Sequence, residues 1–281
     1  MSRRPLLYDR VAEETASIVI RRYSTSFGLA SRLLGTGVRQ HVENIYALVR
    51  IADEIVDGGA QVDMLSAGHA LNDLAEETER AIQLGFSSNL VVHAFALTAR
   101  EVDFGAELTA PFFESMRMDL TRTEHDRESF DAYVYGSAEV VGLMCLRAFL
   151  HGEVVTDLPR FETGARALGS AFQKVNFLRD LAADFEILGR SYFPDVAVDT
   201  FDEATKTRLL DDIDADLAVS AAVVPDLPGS SRRAVALAQS LFAELSKRLR
   251  ATPASELIRA RVRVPNPVKA RLALAAAAGR R

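Results

Sequence analysis

Residues 172–185 read FQKVNFLRDLAADF, with Asp180 and Asp184 four apart, Asn176 four before Asp180, and Gln173 three before Asn176. At helical spacing these four side chains share one face. Like charges at i and i+4 cost about 0.2–0.5 kcal/mol in water, and more once desolvated. The other residues include Phe172, Val175, Phe177, Leu178, Leu181 and Phe185. The polar stripe is therefore narrow, and a helix apolar nearly all round is a buried one. Buried carboxylates require a partner or a metal. Oxygen ligands without His or Cys suit Mg²⁺, which binds through a few carboxylates together with substrate phosphates.

A second stretch repeats the theme. YALVRIADEIVDGG, residues 46–59, places Tyr46, Arg50, Asp53 and Asp57 on one helical face. Taken alone, this pair of aspartates also reads as a solvated polar face. Each stretch has an arginine close by, Arg50 and Arg179, and guanidinium binds phosphate oxygens bidentately while staying charged. Two carboxylate pairs, several arginines and apolar walls make a site for an apolar diphosphate. Metal and arginine would stabilise the departing diphosphate, and dry walls would protect a carbocation from water.

The elements that must hold these faces read as helices nearly throughout. Apolar positions recur at three and four, predicting helices near 6–24, 39–57, 65–84, 89–104, 110–120, 128–151, 158–187, 203–222, 229–251 and 254–261, and one after Pro267. Asp126 is placed to cap the helix of Tyr133. Gly and Pro mark the turns, none long enough for a domain linker. One all-α domain over 1–281 is the economical reading.

Composition narrows the function. The 281 residues are 48% hydrophobic, ample for a buried core, and the net charge of −6 with no basic aromatic run excludes nucleic acid as a main partner. Cys145 stands alone in VVGLMCLRAFL, which reads as a buried structural thiol in a reducing cytosol. MSRRPLLYDR lacks the apolar core of a secretory signal. No run reaches about 18 apolar residues, so no membrane-spanning helix is expected. The tail PVKARLALAAAAGRR reads as a terminal helix packed on the body, with a surface anchor as the alternative. The five histidines show no metal-ligand spacing, and His93 reads as a satisfied helix residue. EETER at 76–80 reads as a solvated face. No G-x-G-x-x-G follows a strand.

The motifs in their order resemble the squalene/phytoene synthase family over nearly the whole chain. The resemblance rests on YSTSFGLASRLL (23–34), YALVRIADEIVDG (46–58), SMRMDL (115–120), YVYGSAEVVGLM (133–144), LGSAFQKVNFLRDLAADFEILGRSYFP (168–194) and RVRVPNPVKARL (261–272). It implies the all-α isoprenoid-synthase fold, a helical bundle around one deep cavity. It implies head-to-head joining of two prenyl diphosphates with Mg²⁺, or Mn²⁺ in its place. By the resemblance, Asp53, Asp57, Asp180 and Asp184 hold metal, with Asn176 as a further ligand and Gln173 lining the same site. Arg50, Arg179 and Arg190 would hold diphosphate, with Arg50 and Arg179 counted as catalytic. Ser24, Ser26 and Tyr133 would contact or orient it, with Tyr133 also catalytic. Tyr192 and Arg261 would complete the diphosphate site.

The implied chemistry has two halves. One diphosphate ionises to an allylic cation, the double bond of the second substrate attacks it, and proton loss gives a cyclopropylcarbinyl diphosphate. That intermediate ionises, rearranges and ends as a C1–C1′ linked hydrocarbon. Proton loss gives a phytoene-type product and hydride from NADPH gives squalene; the missing dinucleotide motif makes NADPH unexpected. The leading expectation is geranylgeranyl diphosphate as substrate, at the first step of carotenoid biosynthesis. A squalene or dehydrosqualene synthase using farnesyl diphosphate is the alternative, and a non-catalytic membrane-associated assembly factor is the alternative of another class. Phe27 and Phe172 could face cations or be plain core. Two departures stand out: Glu139 where relatives carry a small residue, and one extra residue between Asp184 and Arg190. A cytoplasmic location is expected, with peripheral contact at the inner membrane face and with downstream carotenoid enzymes.

Overall fold

The computed structural model describes residues 6–24, 26–58, 64–188, 191–197 and 200–279, without the side chains of Ser26, Met64 and residues 182–188. Among the described residues the elements are α1 (Leu7–Tyr23), α2 (Ser26–Ser31), α3 (Thr36–Asp57), α4 (Met64–Leu84), α5 (Leu90–Glu101), α6 (Ala106–Thr121), α7 (Arg127–Val134), α8 (Val140–Leu150), α9 (Leu158–Leu188), α10 (Glu203–Ala221), α11 (Arg232–Ala251), α12 (Ala254–Leu257) and α13 (Asn266–Ala277). The expected all-α class is what the chain adopts. Asp126 caps α7 as its position predicts, its carboxylate accepting from the Ser129 amide at 2.8 Å, an interaction worth about 1 kcal/mol.

Two apolar clusters organise the bundle. In the first, α1, α3, α4, α5, α6 and α8 meet around Ile45, Leu48, Leu71, Phe95, Phe112 and Met144. In the second, α7, α9, α10, α11 and α12 meet around Tyr133, Phe177, Leu178, Leu210, Ile213 and Leu249. α6 packs on α8, and a π turn at Tyr135–Glu139 packs on both α6 and α9, joining the two halves.

That π turn corrects the single helix expected over 128–151. The chain passes so close to its neighbours there that only glycine fits. A Cβ on Gly136 would sit 2.2 Å from the Pro111 carbonyl oxygen, and one on Gly169 would sit 2.5 Å from the Ala138 carbonyl oxygen. A π turn inserts a residue and re-aims the helix beyond it. The run Arg127–Leu150 is long and apolar enough to cross a membrane by length and composition. Here it packs against α3, α6 and α9, and Val140, Met144 and Leu146 are buried.

Other expectations meet the structure in detail. The thiol of Cys145 is buried and pushed up to about 12 by burial. His93 is satisfied, its Nε2 2.9 Å from Asp9. EETER is solvated only at Glu76 and Arg80: Thr78 is buried, Glu77 accepts from Ser87, and Glu79 accepts from Thr109. The expected helix 254–261 shortens to α12, and the chain beyond it is irregular up to α13, which packs on α11 and α2.

The glycine contacts make a direct test. Gly136→Ala should destabilise by about 2–3 kcal/mol through overpacking, lowering Tm by roughly 4–10 °C. Gly229→Ala, with nothing within 4 Å of the new methyl, should change stability by less than about 0.5 kcal/mol.

Candidate active site

The acidic face of α3 is held by its own arginine. Arg50 donates from Nη1 to Asp53 Oδ2 at 2.6 Å and from Nη2 to Glu54. Its guanidinium carbon lies 4.7 Å from the centre of the Tyr23 ring, while Nε is buried with no partner. The Asp53 carboxyl is pushed up to about 6, first by burial and then by the like charge of Asp57, with Arg50 opposing and Asp119 adding to the rise. Asp57 is exposed at the end of α3. Ser24 does local work: its hydroxyl accepts from the amides of Phe27 and Gly28 at 3.1 and 3.3 Å, capping α2. Nearby, the Tyr46 ring stacks on Phe27 at 5.7 Å.

The acidic face of α9 is held by two arginines. Arg179 donates from Nε to Asp180 Oδ1 at 3.0 Å and from Nη2 to Oδ2. Arg261, between α12 and α13, places Nε 2.6 Å from Oδ1 and donates from Nη2 to Oδ2 at 3.1 Å. Gln173 and Asn176 are half-buried on the preceding turns. The sequence reading passed over the other side of α9. Buried Lys174 donates to Asp212 at 2.6 Å and Asp216 at 2.9 Å, and Ser170 donates to Asp216, fixing α9 against α10. The side chains of Ser26 and Asp184, and all of Arg190 with its lengthened spacing, lie outside the described residues.

Between the two faces sits a residue that sequence reasoning missed. Asp119, in the last turn of α6, is 8% exposed. Its Oδ2 accepts from the Tyr133 phenol at 2.7 Å and its Oδ1 from the Tyr192 phenol at 3.0 Å. Tyr192 stacks on Phe177 of α9 at 4.0 Å and 10°, one turn before Asp180. Tyr192 reaches this place because the Ser191 amide donates to the Thr123 carbonyl at 2.7 Å. The signal was in the sequence: Asp119 continues the buried stripe of Phe112 and Met116, where an apolar residue belongs. Glu139 is also accounted for, since Arg166 of α9 donates to it at 2.6 Å.

Among the described residues, no three His, Cys, Asp or Glu side chains converge closely enough to hold an ion by themselves. The donors offered are hard carboxylate oxygens, and Mg²⁺ bound by one or two carboxylates takes its remaining ligands from water and substrate phosphate. The donor set fits that ion. A cation beside Asp53 and Asp57 would relieve the like-charge repulsion that adds to burial in raising the Asp53 carboxyl.

The helical arrangement and its acidic faces define a class before any relative is considered. Solved structures with the same fold are a dehydrosqualene synthase in complex with ligand (TM-score 0.76, 21% identity, 96% of this chain and 97% of that one) and a squalene synthase from Alicyclobacillus acidocaldarius (TM-score 0.75, 21% identity, 88% and 96%). The fold is thus that of the isoprenoid synthases. The squalene/phytoene synthase family model matches residues 20–267, and the chain belongs to that family. Among named relatives, the 15-cis-phytoene synthase of a Paracoccus species is 28% identical over 84% of this chain and 81% of its own. The phytoene synthase of Mycobacterium bovis is 29% identical over 71% of this chain and 64% of its own.

The raised Asp53 carboxyl sets a pH dependence. Between about pH 4 and 6 the native state binds this proton more tightly than the unfolded chain, so stability falls as pH rises through that window. In metal-free buffer, Asp53→Asn should match wild-type Tm near pH 4 and exceed it above about pH 6. The gain should be on the order of 2 °C, because 37% of the side chain is exposed and the charge is screened. A variant less stable than wild type at pH 7 would contradict this reading.

Proposed function

We propose that the protein joins two geranylgeranyl diphosphates head to head, through a cyclopropylcarbinyl diphosphate, to phytoene, the first committed hydrocarbon of carotenoid biosynthesis, with all 281 residues acting as one catalytic domain. The observation that carries this reading is the pairing of carboxylate and guanidinium on both acidic faces: Arg50 on Asp53, and Arg179 with Arg261 on Asp180. Each carboxylate is a metal ligand in waiting and each arginine a phosphate ligand in waiting. The phytoene synthase names of the relatives at 28–29% identity support the product.

Asp53, Asp57, Asp180 and Asp184, with Asn176, would hold Mg²⁺, or Mn²⁺ in its place. When bound, the ion supplies positive charge for the departing diphosphate. Every other step rests on the chain. Arg50, Arg179, Arg190 and Arg261 hold the diphosphate oxygens and neutralise the charge that builds as the C1–O bond breaks. The hydroxyls of Ser24 and Ser26 and the amide of Gln173 orient the same group. The buried aromatic group of Tyr133, Tyr192 and Phe177 would supply electron-rich rings and help exclude water from the allylic cation. The second substrate's double bond attacks that cation, a proton leaves to close the cyclopropane, and the second C1–O bond then breaks. The rearranged cation loses a proton to give the central double bond, so no hydride donor is used.

Farnesyl diphosphate, giving a C30 hydrocarbon, is the second reading, favoured by the 4,4′-diapophytoene synthase of Staphylococcus haemolyticus at 28% identity over 69% of this chain. A cytoplasmic placement is part of this reading, in keeping with a single buried thiol at Cys145. A water-insoluble product calls for peripheral membrane contact and delivery to downstream carotenoid enzymes. The basic Lys269 and Arg271 beside exposed Leu274 on α13 suit such contact.

Product analysis decides the substrate. With Mg²⁺ and no NADPH, geranylgeranyl diphosphate should yield a C40 hydrocarbon; a C30 product from farnesyl diphosphate alone would move the assignment. Asp180→Asn should keep the fold and lose at least ~100-fold in turnover, more than outer ligand partners cost. Arg261→Ala should move binding in opposite directions. Mn²⁺ alone should bind more tightly, since a competing guanidinium is gone, while inorganic diphosphate with Mn²⁺ should bind more weakly. Calorimetric titration reads both.

A further inference from the structure

We propose that Asp119 is a positioning residue whose buried carboxylate, bonded by the phenols of both Tyr133 and Tyr192, fixes and enriches the aromatic wall that holds the carbocation. The proposal rests on the prenyl-transfer reading above and adds to it a residue that reading does not use.

The geometry is specific. The two phenols come from different parts of the chain, Tyr133 from α7 and Tyr192 from the segment after α9, and they converge on the two oxygens of one carboxylate at 2.7 and 3.0 Å. Their rings lie 5.3 Å apart. Phe177 stacks on Tyr192 at 4.0 Å and lies 5.8 Å from Tyr133. His125 completes the group, 5.9 Å from Tyr192 and 5.1 Å from Tyr133. Burial, then Arg122, holds the His125 imidazole below its ordinary value, so it adds a neutral ring and no competing cation.

A phenol that donates to a carboxylate is more electron-rich than one bonded to water, because charge-assisted hydrogen bonds polarise their donors. The ring face that attracts a cation is strengthened accordingly. Burial, then the charge of Asp119, pushes the Tyr133 phenol well above its ordinary value, so it remains a donor throughout the working pH range. A buried carboxylate is expensive. An amide would hold a phenol by a neutral bond, so the charge is the part that calls for a function.

The chemistry says which half-reaction gains most. The first ionisation gives an allylic cation that spreads its own charge. The second gives cyclopropylcarbinyl and cyclobutyl cations, delocalised into the ring bonds, that must be held through a rearrangement before the charge is lost, so they are exposed to the surrounding charge over more steps. Loss of the Asp119 charge should therefore slow the second half more than the first.

The test uses the whole chain with Mg²⁺ and geranylgeranyl diphosphate, or farnesyl diphosphate if that proves the substrate. Asp119→Asn should fold, bind substrate with KM little changed, lose about 10–100-fold in kcat as outer-partner changes do, and release cyclopropylcarbinyl diphosphate in place of much of the hydrocarbon. In parallel, ultraviolet titration of the phenols, with Tyr133→Phe as the assignment control, should show one tyrosine ionising at lower pH in Asp119→Asn. An unchanged kcat, or a fall with the ratio of intermediate to hydrocarbon unaltered, would overturn the proposal. If Asp119→Asn does not fold, Asp119→Glu replaces it: restored hydrocarbon output supports the charge, and output no better than that of Tyr133→Phe overturns it. If the wild type makes no product from any prenyl diphosphate, the prenyl-transfer reading falls. The phenol titration still bears on Asp119, and an unmoved tyrosine overturns its part.

Discussion

Carboxylates placed on one face of a buried helix repel each other and resist leaving water, and the chain must offset both effects before it can fold. Here the offset is local guanidinium. Arg50 is three residues from Asp53 and also bonds Glu54; Arg179 is next to Asp180, and Arg261 arrives from the C-terminal part of the chain. Arginine suits the task because its charge survives burial and its fork meets both oxygens of a carboxylate. The resting site is thus neutralised by groups that have a second use. On the proposed reading, an incoming diphosphate that takes the guanidiniums would leave the carboxylates open to metal, so binding of anion and of metal would favour each other. Coupling of this kind needs no domain movement, only the exchange of ion-pair partners.

The rest of the bundle keeps those faces where they are. α9 cannot rotate to relieve its acidic side, because its opposite side is pinned to α10 through buried Lys174 with Asp212 and Asp216. It cannot slide along the π turn either. Gly169 lies against the backbone of Ala138, and Gly136 against that of Pro111. Close backbone packing of this sort is stiff, since no flexible side chain can absorb a shift. The aromatic rings then rest on a rigid frame: Phe177 is carried by α9, and Tyr192 is drawn to it by the short pairing of Glu124 with Ser191.

Much of this was legible in the sequence, for physical reasons that can be named. Long helices with strong periodicity announce themselves, and charges that interrupt an apolar stripe announce a site; α3 and α9 did both. The Asp126 cap was readable because a cap is a local interaction. The π turn was not, since the contacts that surround it, of Gly136 with Pro111 and Ser115, are distant in sequence. The short α2 escaped because its cap comes from Ser24, whose hydroxyl could equally face a ligand. Lys174 was passed over because one cation on an apolar helix looks like a surface residue until α10 brings its acids. Asp119 was the instructive omission. It stood within a motif already noted, at a position its own helix assigns to the core, and only Tyr192, 73 residues away, reveals why an acid is there.

Asp119 also shows why the two acidic faces should be treated as one electrostatic object. Its charge acts on Asp53, raising that carboxyl together with Asp57, while its hydrogen bonds run to the rings that abut α9. A buried negative charge that acts on Asp53 and is bonded to the rings that abut α9 favours any cation brought near it. On the prenyl-transfer reading, a carbocation formed beside these rings would be held by the same field. On that reading the buried charge would draw positive charge away from the leaving group and toward the aromatic rings. Fixed charge and fixed rings need no reorganisation when the cation forms, which is the condition under which electrostatic stabilisation is most effective.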